Sequence, residues 1–87
     1  MQILYSLEFA KRYKKLSLEV QKKAEEKETI FRNSPFDPRL DTHKLHGNLS
    51  DFWGFSVDQR YRIIFVFLEA SSVKFCAIGD HSIYEKF

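Results

Sequence analysis

The chain has 87 residues and a formal charge of +2, enough for one domain with one modest core and too little charge to argue a nucleic-acid partner from bulk electrostatics. Aromatic residues make up 16% of it, nine of them phenylalanine, which suits a small core because each buried ring removes a large area from water. A single cysteine, Cys76, excludes an internal disulfide and is expected to be a packing residue in a reducing compartment. The longest apolar run, Ile63 to Leu68, is far too short to span a membrane, and the N-terminus lacks the basic start and apolar block of a secretion signal. A cytoplasmic protein with no membrane association is expected.

"MQILYS" opens the chain as a short, partly β-branched strand. Ser6 then stands as an N-cap, and Phe9, Tyr13 and Leu16 recur at helical spacing. Ser17 is a second cap with Glu19 in the following turn. Leu16, Val20, Ala24 and Phe31 mark one helical face, with solvated charges between them. The pair reads as a helical hairpin, ended by the two prolines of "NSPFDPRLD". "THKLHGNLSD" follows as a loop or short extended piece carrying His43 and His46. Their spacing of three is compatible with a metal on a helix, but no helix and no third ligand accompany them, so no metal is expected.

The period then changes to two. Trp53, Phe55 and Val57 alternate with Gly54, Ser56 and Asp58, a strand with one polar face. "RYRIIFVFL" is apolar on both faces after Arg62 and reads as a central strand. "SSVKFCAIGD" is the next, reached through the hairpin-sized link "EASS". "HSIYEKF" closes the chain as a short strand or a helical turn. The order is β-α-α-β-β-β, an α+β fold in which a helical hairpin packs on a mainly antiparallel sheet, all within one domain spanning 1–87.

Alternation bears on chemistry. Tyr61, Ile63, Phe65 and Phe67 share one face of the central strand; Arg62, Ile64 and Val66 share the other. If the helices cover the Tyr61 face, Arg62 emerges opposite, where a guanidinium fork on a rigid strand suits phosphate oxygens. A salt bridge to Asp58 or Asp80 is the plainer alternative. His81 stands at a strand end, and histidine is the usual proton carrier. Tyr84 follows three residues later, either to touch a base or phosphate or to pack the C-terminal segment.

"HKLHGNLSDFWGFSVDQRYRIIFVF" followed by "IGDHSIY" resembles the RelE/ParE superfamily of toxins of bacterial type II toxin–antitoxin systems, closer to its RelE/StbE and YoeB/YafQ-like ribonuclease branches. The likeness lies in a leucine–glycine loop, an aromatic strand opening, a "YRIIF"-like central strand and a terminal G-x-H segment, and the helical hairpin sits where the family has it. The resemblance implies a RelE-like fold and ribosome-dependent cleavage of messenger RNA without metal or other cofactor, in which the ribose 2′-hydroxyl attacks the adjacent phosphate. Arg62 matches the central-strand arginine and would stabilise the developing charge. His81 matches the histidine that moves protons, Tyr84 resembles a late tyrosine at a shorter spacing, and His43 falls in the H-x-L-x-G loop. His46, Lys44, Arg60, Trp53 and Asp58 complete the expected RNA contacts.

The chain also departs from the pattern. Trp53 and Phe55 stand where RelE itself has lysines, and the glutamate base of YoeB has no equivalent, which leaves Asp58 as the best-placed carboxylate. The implied partners are a cognate antitoxin, messenger RNA on the ribosome and, through the antitoxin, operator DNA. A non-catalytic module of the same fold is the alternative, either a ParE-like gyrase inhibitor or a degenerate toxin acting as an antitoxin-binding corepressor. The histidine set favours the ribonuclease.

Overall fold

A computed structural model describes residues 1–86, with Lys86 described in its backbone only. The chain runs β1 (Gln2–Tyr5), α1 (Leu7–Lys14), α2 (Leu18–Asn33), β2 (His43–Lys44), β3 (Trp53–Ser56), β4 (Tyr61–Leu68), β5 (Ser72–Asp80) and α3 (Ile83–Lys86), with 3-10 turns at Pro38–Leu40 and Gly47–Leu49. The strands form one sheet in the order β1-β5-β4-β3-β2. Three neighbouring pairs are antiparallel and the β1–β5 pair is parallel. The α+β architecture matches the sequence expectation. One detail differs from it, a fifth, two-residue strand within the histidine loop; of the two forms expected for the closing segment, the helical turn is the one that forms. Phe87, its last residue, lies outside the described residues.

Both helices start where the serines stand. The Ser6 hydroxyl accepts from the Phe9 amide at 2.9 Å and that of Ser17 from Val20 at 3.2 Å, each satisfying an otherwise orphaned donor of the first turn. Ser6 also ties the helix to the sheet. Its amide donates to the Phe75 carbonyl at 3.0 Å and its hydroxyl to the Cys76 carbonyl at 2.9 Å. β1 therefore ends midway along β5, and α1 takes over along the rest of that strand.

The helices cover one face of the sheet. There Phe31 of α2 sits among Phe55, Phe65 and Phe75 at ring-centroid distances of 4.9, 4.9 and 5.4 Å, all four rings fully buried. Burying a phenylalanine side chain stabilises by roughly 1.5–3 kcal/mol, so this quartet is the main anchor of the hairpin. A bulge helps to assemble it. Ile64 pairs Ala77 but Phe65 pairs Phe75, leaving Cys76 as the extra residue. Strict alternation would send Phe75 and Ile78 to opposite faces; the bulge brings both to the helices. Cys76 is buried there, and burial pushes its thiol up against the lowering effect of Lys74.

A smaller cluster of Leu45, Ile64, Ala77 and Ile83 lies on the opposite face, edged by Leu49, Phe52 and Tyr84. It makes the face of Gly54 and Ser56 apolar and covered where alternation alone predicts a polar surface. This cluster is the floor of the candidate site.

Candidate functional site

Arg62 is the first fixed point. It opens β4, pairs Ser56 on one side and Gly79 on the other, and projects from the face away from the main helices. Its Nη1 donates to the Tyr61 carbonyl at 3.0 Å and to the Asp58 carbonyl. Among the described residues no carboxylate lies within ion-pair range of it. The plainer alternative of a salt bridge to Asp58 or Asp80 is thus not what forms: Asp58 Oδ2 lies 3.5 Å from Lys23 Nζ, and Asp80 Oδ2 lies 3.9 Å from Arg60 Nη2. A guanidinium held through one nitrogen by neutral carbonyls keeps its charge and its remaining donors for an anion.

Asp58 organises the turn that does this holding. Its Oδ1 accepts from the amides of Arg60 at 2.9 Å and Tyr61 at 2.7 Å. Burial pushes the Asp58 carboxyl up, but those two amides and the Lys23 charge outweigh it and hold the group below the usual carboxylate range. A carboxylate so committed is a weak proton acceptor. The expectation that Asp58 substitutes for the missing base therefore gives way to a structural role.

Tyr84 is the second fixed point. A Cβ placed on Gly54 would lie 3.3 Å from the Tyr84 hydroxyl and 3.4 Å from Leu45 Cδ2, so the bare backbone of Gly54 is the seat on which the phenol rests. Burial raises the Tyr84 pKa, opposed by the Arg62 charge and reinforced by Asp41. The phenol is a neutral hydrogen-bond donor within the field of Arg62. Sequence reading passed over Gly54; a glycine inside a strand marks a close approach, and that was the available signal.

The histidines surround this pair. His43 pairs Gly54 across the β2–β3 ladder, which puts its side chain on the Tyr84 side of the sheet. Its Nδ1 lies 2.9 Å from the Asp41 carbonyl. A carbonyl only accepts, so Nδ1 carries the hydrogen and Nε2 of the neutral ring is left with a lone pair. Asp41 reaches this position through a left-handed backbone, φ 51°. The His81 ring lies 6.2 Å from that of Tyr84, edge to face. Its turn is folded by Asp80, whose Oδ1 accepts from the Ser82 amide at 2.9 Å and the Ser82 hydroxyl at 2.6 Å.

Two hollows flank the pair. One of 380 Å³ is lined by His43, Lys44, Leu45, His46, Asn48, Leu49 and Tyr84. The other, of 490 Å³, is lined by Gln59, Arg60, Asp80, His81 and Ser82. The structure thus brings Arg62, Tyr84, His43 and His81 to one side of the sheet, with Lys44, His46 and Arg60 at its margins. Trp53 does not join them. It lies on the helix-side face, its ring 5.5 Å from Phe36 and 5.4 Å from Phe67, and the RNA contact expected of it is withdrawn. Among the described residues no group of three or more His, Cys, Asp or Glu is arranged to hold a metal, and no helix is long and apolar enough to cross a membrane.

No family model and no curated protein matches the chain. Solved structures do. A YoeB/ParE toxin from Agrobacterium tumefaciens superposes with a TM-score of 0.79 at 13% identity, over 93% of this chain and 99% of that one. YafQ from E. coli strain BL21(DE3) gives 0.74 at 20% identity, over 95% and 96%. The YoeB–YefM complex from Staphylococcus aureus gives 0.76 at 16% identity, over 93% and 97%. The fold is the RelE-like fold of these toxins.

Proposed function

We propose that this chain, which has the fold of the YoeB and YafQ toxins, is the toxin of a toxin–antitoxin pair and cuts messenger RNA on the ribosome. The observation that carries the reading is the setting of Arg62: a guanidinium held by carbonyls on a rigid strand, with the Tyr84 phenol, His43 and His81 on the same side. That set fits transesterification of RNA. His43 Nε2 takes the proton of the 2′-hydroxyl as O2′ bonds to phosphorus. The P–O5′ bond breaks, and a protonated His81 gives its proton to the leaving oxygen. Arg62 and Tyr84 donate to the phosphorane oxygens, whose charge grows on the way to the transition state. The products are a 2′,3′-cyclic phosphate and a 5′-hydroxyl, and no step requires a metal. A cognate antitoxin that covers this face would silence it.

Primer extension on message from a translation reaction tests the assignment. Arg62→Ala should cut about 100- to 1000-fold more slowly, the usual loss when one preorganised donor is removed. Its melting temperature should stay close to that of the wild type. Wild-type cutting by Arg62→Ala would make Arg62 structural. If the wild type leaves message intact yet blocks DNA supercoiling by gyrase, the non-catalytic alternative takes its place.

A further inference from the structure

We propose that the cleft between α1 and the end of β5 is a second phosphate-binding subsite, which holds the RNA strand beside the bond that Arg62 serves. The inference rests on the ribonuclease reading above and extends it to how the strand is gripped. The cleft measures 480 Å³ and is walled by Lys11, Arg12 and Lys15 on one side and by Gly79, Asp80, Ser82 and Ile83 on the other, with Glu8 and Tyr61 also lining it. It shares Asp80 and Ser82 with the hollow of Arg60 and His81, so the two form one continuous path along the end of the sheet.

Three cations face this cleft in different states. Arg12 is braced through Nε by Glu8 Oε2 at 2.6 Å. Its Nη1 stands 3.8 Å from the point where a Cβ on Gly79 would be. That point also lies only 2.2 Å from Ile83 Cγ2, so Gly79 keeps the floor bare while buried Ile83 forms the wall. Lys11 and Lys15 are exposed and four residues apart, and among the described residues neither lies within ion-pair range of a carboxylate. Of the two carboxylates lining the cleft, Glu8 orients the Arg12 guanidinium fork and Asp80 pairs Arg60 at 3.9 Å, so among the described residues neither cancels the lysines. A braced fork with two free ammonium groups suits the spaced, singly charged phosphates of an extended strand better than one compact anion. The adjoining His81 hollow then places such a strand at the proposed proton donor.

The test measures binding of a fluorescent 2′-O-methyl RNA, which lacks the attacking hydroxyl, by anisotropy over a range of salt. Lys11→Gln/Lys15→Gln is compared with wild type and with Lys14→Gln/Lys22→Gln, which removes the same charge away from the cleft. Glutamine is a good helix former, so both variants should keep the fold. The cleft variant should bind about tenfold more weakly at low salt. Its plot of log affinity against log salt should be shallower by about 1.4, the value for two phosphate contacts on a single strand. The control should keep the wild-type slope. Equal slopes for wild type and cleft variant would overturn the subsite, and so would equal flattening in the two variants, which is a net-charge effect. If the cleft variant keeps its RNA slope and loses only binding of polyglutamate, the cleft belongs to an acidic protein segment and the proposal falls. The reading beneath is checked apart, in a translation reaction: a wild type that cuts no message overturns that reading and the subsite with it, whereas intact cutting with unchanged slopes removes the subsite alone.

Discussion

At the scale of single residues, the reassignment of Asp58 makes the sharpest test. Its Oδ1 folds the turn through two amides while its own carbonyl receives Arg62. Asparagine offers the same Oδ1 acceptor but cannot take a proton at neutral pH. Asp58→Asn should therefore cut message within about threefold of wild type, losing only the contact with Lys23, a half-exposed pair worth about 0–1 kcal/mol. Asp58→Ala loses the acceptor, frees the turn and lets Arg62 drift. Displacement of about 1 Å is enough for a loss on the order of 100-fold in turnover, with the half-saturating concentration little changed. If both variants lose activity equally, Asp58 is the base after all. The pH dependence has a definite sign. The folded carboxyl is held low, so its contribution to stability is complete above its unfolded value of about 4 and is lost as pH falls through the folded one. The positions of the candidate residues were legible, because alternation puts Arg62 on the face opposite Tyr61 and the end of the apolar run puts His81 just past a strand. Their division of labour was not, because Asp58, Asp80 and Asp41 look alike in sequence and only their hydrogen bonds separate a turn former from a base.

Among elements, the joint between α1 and α2 carries its own pH signature. The Tyr13 hydroxyl donates to Glu25 Oε2 at 2.6 Å, and Tyr5 of β1 donates to Glu28. Burial first, and then the hydrogen bond and charge of Glu25, push the Tyr13 phenol up to about 12. The folded protein thus prefers the protonated phenol. Its contribution is fully present below the unfolded value of about 10 and disappears as pH rises toward the folded one. Urea unfolding at pH 8 and at pH 11.5 should show Tyr13→Phe less stable by about 0.5–1 kcal/mol at the lower pH and nearly level with wild type at the higher. A constant difference across that range would mean that the phenol contributes packing alone. The elements themselves were readable where a local cause produces them. Ser6 and Ser17 cap the helices as expected, and the period of two from Trp53 onward yields the strands. What the sequence hides is pairing over distance. "QILY" gives no sign that its partner is β5 or that the pairing is parallel, and the bulge at Cys76 reverses the faces that simple counting assigns. β2 is two residues long and exists because β3 offers an edge, not because "HK" favours a strand.

At the scale of the whole molecule, the candidate groups sit on supports of unequal rigidity, and this predicts how the reaction depends on its surroundings. Arg62 stands on the eight-residue strand β4 beside the core. His43 stands on a two-residue edge strand, His81 in an exposed turn, and Tyr84 in a four-residue helix. The charge site is therefore preorganised, while the proton-transfer groups depend on how the strand is presented to them. A net charge of +2 adds little general affinity for RNA, which depends on phosphate neutralisation. On the proposed reading, free RNA should be cut poorly and translated message well, because a ribosome supplies the in-line geometry and orientation alone is worth up to about 7–11 kcal/mol in ideal cases. The measurement uses one message, naked and then in a reconstituted translation reaction, at the same protein concentration. A ratio of at least about 100 in favour of the translated message is expected. Equal cutting of both would mean that the chain orients its substrate unaided and that the unequal supports do not matter. If cutting is confined to ribosomes, His43→Gln should abolish it and His46→Gln should weaken it only modestly, because among the described residues His43 is the histidine whose Nδ1 is held by a carbonyl, and its place opposite Gly54 puts its ring on the Tyr84 side of the sheet.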